Sequence, residues 1–369
     1  MSLTPLELVR YQRHLSLAGF GPDAQVALRR GRVLVIGAGG LGCPLLLYLA
    51  AAGVGQITIM DPDMVDTTNL QRQVLFTTED VGQPKAEAAA RRLRALNPLI
   101  DVHARVERLT RENALERIAS HTVVADGSDN FATRYLVNDA CVLADRPLVY
   151  GAIQQFEGQA SVFNYQGGPT YRCLFPEPPE AGTVPNCAEA GVLGVLPGLI
   201  GTIQATETIK LLTGIGEPLS GRLLLWDALT MQSRSLRIAP DPRRKIITSL
   251  PPDGYGAVCA VPTPVATSDE LTVDEFRTSK IQDVQLIDVR ESWERALGHM
   301  ESSVHVPLGS LGTDDARRAL ASLDPHRATV VYCAGGVRSL KALPALRSEH
   351  RFSSVKSLRG GFTAWTSSL

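Results

Sequence analysis

The sequence predicts an α/β protein with two parts, a doubly wound, Rossmann-like sheet domain followed by a smaller α/β domain. Three observations predict it. From Gly31 onward, short β-branched runs alternate with longer helical stretches, as a parallel sheet covered by helices requires. A glycine-rich turn, Gly37-Ala38-Gly39-Gly40-Leu41-Gly42, follows the first of these runs and opens the next helical stretch. Far downstream, the apolar run Thr329-Val330-Val331-Tyr332 ends in a second loop, Cys333-Ala334-Gly335-Gly336-Val337-Arg338-Ser339.

In chain order, strands are expected at 32–36, 56–60, 102–106, 122–125 and 148–152. Residues 84–96 form an amphipathic helix, with alanine and leucine on one side and Lys85, Glu87, Arg91, Arg92 and Arg94 mostly on the other. The runs 222–226 and 233–238 have no long helix between them, which predicts antiparallel strands extending the sheet. Pro240, Pro242, Pro251, Pro252, Pro262 and Pro264 then punctuate a stretch with little periodicity. The expected division is a first domain over 1–245, a linker over 246–270 and a second domain over 271–369, with strands at 284–287 and 329–332 and a helix from about 338.

Composition narrows the function. With 369 residues and 44% hydrophobic content, the chain can bury a full core. A net charge of −1, from 37 basic and 38 acidic residues, leaves no electrostatic footprint for nucleic acid or an anionic membrane. The start, Met1-Ser2-Leu3-Thr4-Pro5, lacks a basic region before an apolar run, and no apolar stretch reaches spanning length, so a cytoplasmic location is expected. Six cysteines, Cys43, Cys141, Cys173, Cys187, Cys259 and Cys333, form no CxxC pair. Structural disulfides are not expected in a reducing compartment.

The first glycine loop suits a nucleotide. Glycines let the backbone approach phosphate, the following helix N-terminus favours negative charge, and Asp61 ends the next strand, where it can bind ribose hydroxyls. On these residues alone, a nicotinamide-dependent dehydrogenase fits equally well. Thr68-Asn69-Leu70-Gln71-Arg72-Gln73, Lys85, and Asp126-Gly127-Ser128-Asp129-Asn130 with Arg134 change the balance. Arg72 and Lys85 would each alone read as surface charges. Together they supply cations for phosphates, and Asp129 after a strand supplies a carboxylate for Mg²⁺, which favours nucleotidyl transfer from ATP.

These motifs, with Arg10-Tyr11-Gln12-Arg13-His14 and Asn186-Cys187-Ala188-Glu189-Ala190-Gly191-Val192-Leu193-Gly194, resemble the E1-like activating enzymes of the ThiF, MoeB and Uba4 group. The closest resemblance is to members with a C-terminal rhodanese domain. It implies an E1-type adenylation domain in a homodimer that binds ATP and adenylates the C-terminal glycine of a ubiquitin-like sulfur carrier ending Gly-Gly. Mapped by motif, Gly40 and Asp61 contact the nucleotide together with the loop glycines Gly37, Gly39 and Gly42. Asn69, Arg72 and Lys85 surround ribose and phosphates, Asp129 holds Mg²⁺ beside Asn130, and Arg13 reaches the partner subunit's site.

The C-terminal part resembles rhodanese through the cysteine loop, Leu286-Ile287-Asp288-Val289-Arg290-Glu291-Ser292-Trp293-Glu294, Gly298-His299 and His305-Val306-Pro307-Leu308. A Cys333 thiolate there would face backbone N–H groups and the Arg338 guanidinium, and as a persulfide it would pass sulfur to the adenylated carrier. Thiosulfate and a cysteine desulfurase are both open as donors. Asp288, Arg290 and Glu294 read as organisers of the fold. Cys187 is a candidate for reducing the resulting acyl-disulfide, and an inert buried thiol is an equal reading; Cys43 and Cys141 fall in expected helices as core.

Many relatives carry two CxxC pairs for structural zinc, but the first here reads Thr170-Tyr171-Arg172-Cys173 and residues 240–245 hold no cysteine. Zinc needs four ligands, so no such site is expected. Other readings are adenylation of a peptide or small carboxylic acid without sulfur transfer, a non-catalytic scaffold, or a nicotinamide oxidoreductase. The rhodanese-like loop argues against the first.

Overall fold

The computed structural model describes residues 2–178, 191–242, 246–252, 255, 269–278 and 284–368. The chain divides into two compact units, Met1–Val261 and Pro262–Leu369. In the first, eight strands form one sheet: β1 (Arg32–Ile36), β2 (Gln56–Met60), β3 (Asp101–Arg105), β4 (Val123–Asp126), β5 (Leu148–Gln154), β6 (Glu157–Phe163), β7 (Arg222–Asp227) and β8 (Gln232–Arg237). Their order is β3-β2-β1-β4-β5-β6-β7-β8. The first five are parallel, and β6 to β8 continue antiparallel.

Side chains alternate across a strand, and β1 shows what that does here. Val33 and Val35 enter one buried cluster with Leu45, Leu46 and Leu49 of the helix Gly42–Ala52. Leu34 and Ile36 enter a second cluster with Ile118 and Tyr135 on the other face. Full burial of each such leucine stabilises the fold by about 1.5–3 kcal/mol. The helix Gly42–Ala52 is apolar nearly all round because it packs between the sheet and the helix Leu196–Thr213.

The expected strands are present, displaced by one residue at β3, β4 and β8, the ordinary scatter of strand ends. β6 and the long helix Leu196–Thr213 are additions. The β5–β6 hairpin turns through Gln155 and Phe156, with Gln155 at φ 51°. Such turns usually advertise themselves with Asn-Gly or Gly, and this one does not. Leu250 and Tyr255, inside the stretch read as linker, are buried in the second cluster, so packing of the first unit continues beyond residue 245.

The second unit is a five-stranded parallel sheet of β9 (Glu270–Leu271), β10 (Gln285–Asp288), β11 (Val304–His305), β12 (Thr329–Tyr332) and β13 (Val355–Leu358), in the order β11-β10-β12-β13-β9. Val331 faces one apolar cluster, and Val330 and Tyr332 the other. The central strand, β12, ends at Tyr332, and Cys333 follows it.

Candidate active sites

In the first unit a cavity of about 320 Å³ opens where β1 to β5 end. Residues 107–109 after β3, Asp61 and Asp63 after β2, Gly37, Gly39 and Gly40 after β1, residues 127–130 after β4, and Ile153 of β5 line it. Ligands in open α/β sheets bind at such strand ends. Gly37, at φ 89°, turns the chain away from β1 and donates its N–H to the Met60 carbonyl at 2.9 Å. A Cβ on Gly39 would come no nearer than 3.7 Å to its closest neighbour, Gln73 Nε2, so the bare loop faces open space.

Gly42 differs from the other loop glycines, because it does not line the cavity. A Cβ there would stand 2.0 Å from the Gly37 carbonyl oxygen, so its role is the close approach of strand and helix. Asp61 is buried, and its two oxygens accept the Ala38 and Asp63 N–H groups at 2.7 and 2.8 Å. Burial pushes this carboxyl above its ordinary range, against the pull of those two hydrogen bonds. Asp61 thus braces the glycine loop as well as facing the cavity.

Lys85, Arg72, Arg108 and Arg134 bring four cations to the lining. Lys85 begins the helix Lys85–Leu96, and its Nζ lies 3.3 Å from Asp63 Oδ2. Arg72 Nη1 donates to the Thr68 carbonyl at 3.1 Å. Arg134 Nη2 donates to the Ser128 carbonyl at 3.2 Å, and its guanidinium lies 5.6 Å from the Tyr150 ring centroid. Behind it Asp126 is fully buried, which pushes its carboxyl up while Arg134 pulls it down.

Of the expected residues, Gly37, Gly39, Gly40, Asp61, Arg72, Lys85, Asp129 and Asn130 meet in this cavity. Asn130 also caps the helix Phe131–Leu143, its Oδ1 accepting the Thr133 N–H at 2.9 Å. Asn69 is not in the lining; its carbonyl accepts the Arg72 and Gln73 N–H groups and so fixes the turn that presents Arg72. Arg13 is exposed on the short helix Gln12–Leu15 and is not among the residues that line the cavity. Cys187 and Cys259 lie outside the described residues. Gln73 and Arg134, quoted among the nucleotide motifs without a role of their own, also line the cavity; sequence reading missed Asp63, Glu107 and Arg108, although Glu107 and Arg108 follow β3 as Asp61 follows β2.

This donor set fits a nucleoside triphosphate. A glycine loop, a helix N-terminus and four cations suit phosphates, and the acids at the β2 and β3 ends suit a ribose. Gln73 Oε1 has no hydrogen-bond partner among the described residues, although the side chain is buried. Asp129 is exposed at the edge, a position open to a divalent cation.

The second unit encloses a cysteine sulfur in its loop after β12. Cys333 is 1% exposed, and its Sγ accepts the Gly336 N–H at 3.1 Å. Gly336, at φ 96°, caps the helix Val337–Ser348. Of the successive backbone donors expected around the sulfur, this one is within bonding distance. Arg338 is turned to Glu294, with two contacts of 2.6 Å, rather than to the thiol. That pairing raises the Arg338 pKa and holds the Glu294 carboxyl below the usual range. Asp288 has no exposure and accepts from Arg290, Arg295 and Tyr332. Burial raises its carboxyl, and the Arg290 and Tyr332 hydrogen bonds outweigh that, leaving it below the ordinary range.

Where relatives are expected to bind zinc, Cys173 Sγ accepts N–H groups from Thr170 at 3.4 Å and Asp241 at 3.5 Å. Beside it Arg172 makes a bidentate pair with Asp139 at 2.8 and 2.9 Å, and Tyr255 donates to the same carboxylate. Cys43 and Cys141 are fully buried, and burial pushes the Cys43 thiol up to about 12.

Residues 11–246 match the ThiF family, and residues 272–368 match the Rhodanese-like domain. The chain is 45% identical over 378 aligned residues to "Probable adenylyltransferase/sulfurtransferase MoeZ" of Mycobacterium tuberculosis, covering 100% of this chain and 95% of that protein. It is 55% identical over 248 residues to "Sulfur carrier protein adenylyltransferase" of Thermus thermophilus, covering 66% of this chain and 92% of that protein. Among solved structures, E. coli MccB with MccA-N7isoASN aligns with a TM-score of 0.59 at 22% identity, over 65% of this chain and 74% of that one, a likeness of fold. The chain therefore belongs to the ThiF family and carries a rhodanese-like domain after its ThiF region.

Proposed function

We propose that the chain is an adenylyltransferase and sulfurtransferase that activates the C-terminal glycine of a ubiquitin-like sulfur carrier with ATP and converts it to a thiocarboxylate. The observation that carries this reading is the presence, in one chain, of a cationic cavity over a glycine loop and a cysteine enclosed by its own loop. The first suits a phosphate chain; the second suits sulfur.

A carboxylate resists nucleophiles because it would have to expel oxide. Attack of its oxygen on the α-phosphorus of ATP breaks the bond to pyrophosphate and leaves an acyl-adenylate whose leaving group is AMP. Gly37, Gly39 and Gly40 would hold the phosphate chain, while Arg72 and Lys85 would offset charge growing on it. A Mg²⁺ ion at Asp129 would add Lewis-acid stabilisation of the phosphates. In a homodimer, Arg13 would serve the partner's cavity, a role supported by its exposure and its absence from the lining of its own. We place the enzyme in the cytoplasm.

The terminal sulfur of a Cys333 persulfide would then attack the acyl carbon, expelling AMP and giving an acyl-disulfide. Thiolate attack on Cys333 Sγ releases the thiocarboxylate and leaves a disulfide at Cys333; Cys187 is assigned this attack, and two external thiols reduce the pair and leave as their own disulfide. The persulfide sulfur is supplied by thiosulfate or a cysteine desulfurase.

The test is to incubate the protein with ATP, Mg²⁺, a sulfur donor and Gly-Gly-ending proteins of the same genome, and to weigh each carrier intact. Replacement of one oxygen by sulfur is expected on one of them. Adenylate without sulfur would overturn the Cys333 relay, and neither product with any carrier would turn the reading to a peptide or small acid. Cys187→Ala should accumulate the acyl-disulfide without slowing adenylation; normal thiocarboxylate yield would remove Cys187 from the scheme.

A further inference from the structure

The sulfur of Cys333 stands in a loop with little charge of its own. Residues 333–339 hold one basic side chain and no acidic one, and that base, Arg338, lies in the first turn of the helix Val337–Ser348. Behind the loop, Phe362 and Thr363 donate their N–H groups to the Cys333 and Ala334 carbonyls at 2.7 and 3.0 Å, from a run, residues 360–363, that carries no charge. The next charges are already matched, Arg290 with Asp288 at 2.8 Å and Arg295 with the same carboxylate at 3.3 Å.

Glu294 takes both ends of the Arg338 guanidinium. Its two oxygens each accept from Arg338 at 2.6 Å, the forked geometry in which guanidinium and carboxylate bind most strongly. One of those oxygens also accepts the Glu291 N–H at 2.9 Å, which fixes the carboxylate in place. The loop's cation is therefore neutralised where it stands.

Two kinds of sulfur donor ask for different fields. Attack of the Cys333 thiolate on thiosulfate forms a new S–S bond, breaks that of thiosulfate and sends its electron pair out on sulfite, so three negative charges meet. Attack on a thiol persulfide, R–S–SH, forms the same bond and expels R–S⁻, with one negative charge throughout; the proton left on the Cys333 persulfide is then lost to water. The Gly336 N–H, 3.1 Å from the sulfur, answers one charge. A dianion needs a cation besides.

We propose that Glu294 sets the donor specificity of the sulfur site, favouring thiol persulfides over thiosulfate by neutralising Arg338. Glu294 acts through Arg338 and is a positioning residue. The proposal rests on the reading of Cys333 as the sulfur carrier and narrows the class of its donor.

The test is the rate at which Cys333 of the full-length protein gains one sulfur, read by the mass of its peptide after capping with iodoacetamide. Wild type, Glu294→Gln, Arg338→Gln and the double variant are each given thiosulfate or cysteine persulfide. A persulfide-loaded cysteine desulfurase of the same genome, run beside them, tells a protein source of persulfide from a small thiol. Glutamine at 294 keeps an acceptor for the Glu291 N–H, so that change removes charge and spares the turn. The ratio of the thiosulfate rate to the cysteine persulfide rate should follow the charge of the pair. It is expected about tenfold above wild type in Glu294→Gln, about tenfold below it in Arg338→Gln, and within about threefold of it in the double variant. Added salt should shrink the gain in Glu294→Gln. A purely structural role would lower both rates together and leave the ratio in place. A ratio unmoved in Glu294→Gln, or a double variant still displaced from wild type, would overturn the proposal while the sulfurtransferase reading stands. Loading of wild type from no donor would overturn that reading, and the proposal with it.

Discussion

The two candidate sites use one backbone device at different scales. Each stands where parallel strands end, and in each a glycine with positive φ, Gly37 or Gly336, leads the chain towards a helix. The cavity of the first unit draws on five strand ends and is lined by charges of both signs. The loop of the second unit closes on one atom, and the charges beside it are paired with one another, Arg338 with Glu294 and Arg290 with Asp288. The first site is thus an open space shared by several strand ends, and the second a single closed loop.

The sharpest way to break the comparison is to disable each site in turn. Cys333→Ala is expected to lower sulfur transfer by at least about a thousandfold while carrier-stimulated ATP–pyrophosphate exchange stays within about twofold. Asp129→Ala should do the reverse, lowering exchange by about a hundred- to a thousandfold and sparing sulfur loading from thiosulfate. Loss of both activities in either variant would show that the sites are not chemically separate.

Two glycines sharpen the comparison at the level of stability. Gly42→Ala forces a Cβ against the Gly37 carbonyl and should destabilise the first unit by about 3 kcal/mol, visible as a lower midpoint in its thermal unfolding. A Cβ on Gly335 meets nothing within 4 Å, so Gly335→Ala should change the second unit by no more than about 0.5 kcal/mol. Equal effects would mean that the two loops are packed alike.

Acid should distinguish the units as well. Asp288 has a depressed carboxyl pKa, so its contribution is present above the ordinary carboxylate range and is lost as pH falls through its folded value. Asp126 is pushed the other way, and protonation relieves it. Asp288→Asn should flatten the acid limb of the second unit's stability, and Asp126→Asn should steepen that of the first. Urea unfolding at a series of pH values measures both slopes. The smallest effect is expected from Asp63→Asn, because that carboxylate is largely exposed; loss of its contact with Lys85 should change the KM for ATP by about twofold.

Much of this was legible in the sequence because strand ends and loops carry their own signals. The β-branched runs gave the parallel strands, and the glycine loop and Asp61 fell where they meet in space. The hairpin at Gln155 and Phe156 carried no turn residue, so β6 went unread. Gly42 looked like its neighbours because a glycine needed for packing and one needed for a ligand are the same letter. Arg338 was expected to serve the sulfur, and only the fold shows Glu294, 44 residues upstream, taking both ends of its guanidinium. The prolines after β8 masked Leu250 and Tyr255, whose burial depends on helices far back in the chain.

Tyr255 closes on Asp139 across 116 residues, together with Arg172. During synthesis at about 5–20 residues per second, roughly 6–23 seconds pass between the appearance of the acid and of the tyrosine that completes its network. Through that interval Asp139 has at most Arg172 and its neighbour Asn138 to answer it. The Asp139 network of the first unit is therefore completed only as synthesis reaches the start of the second.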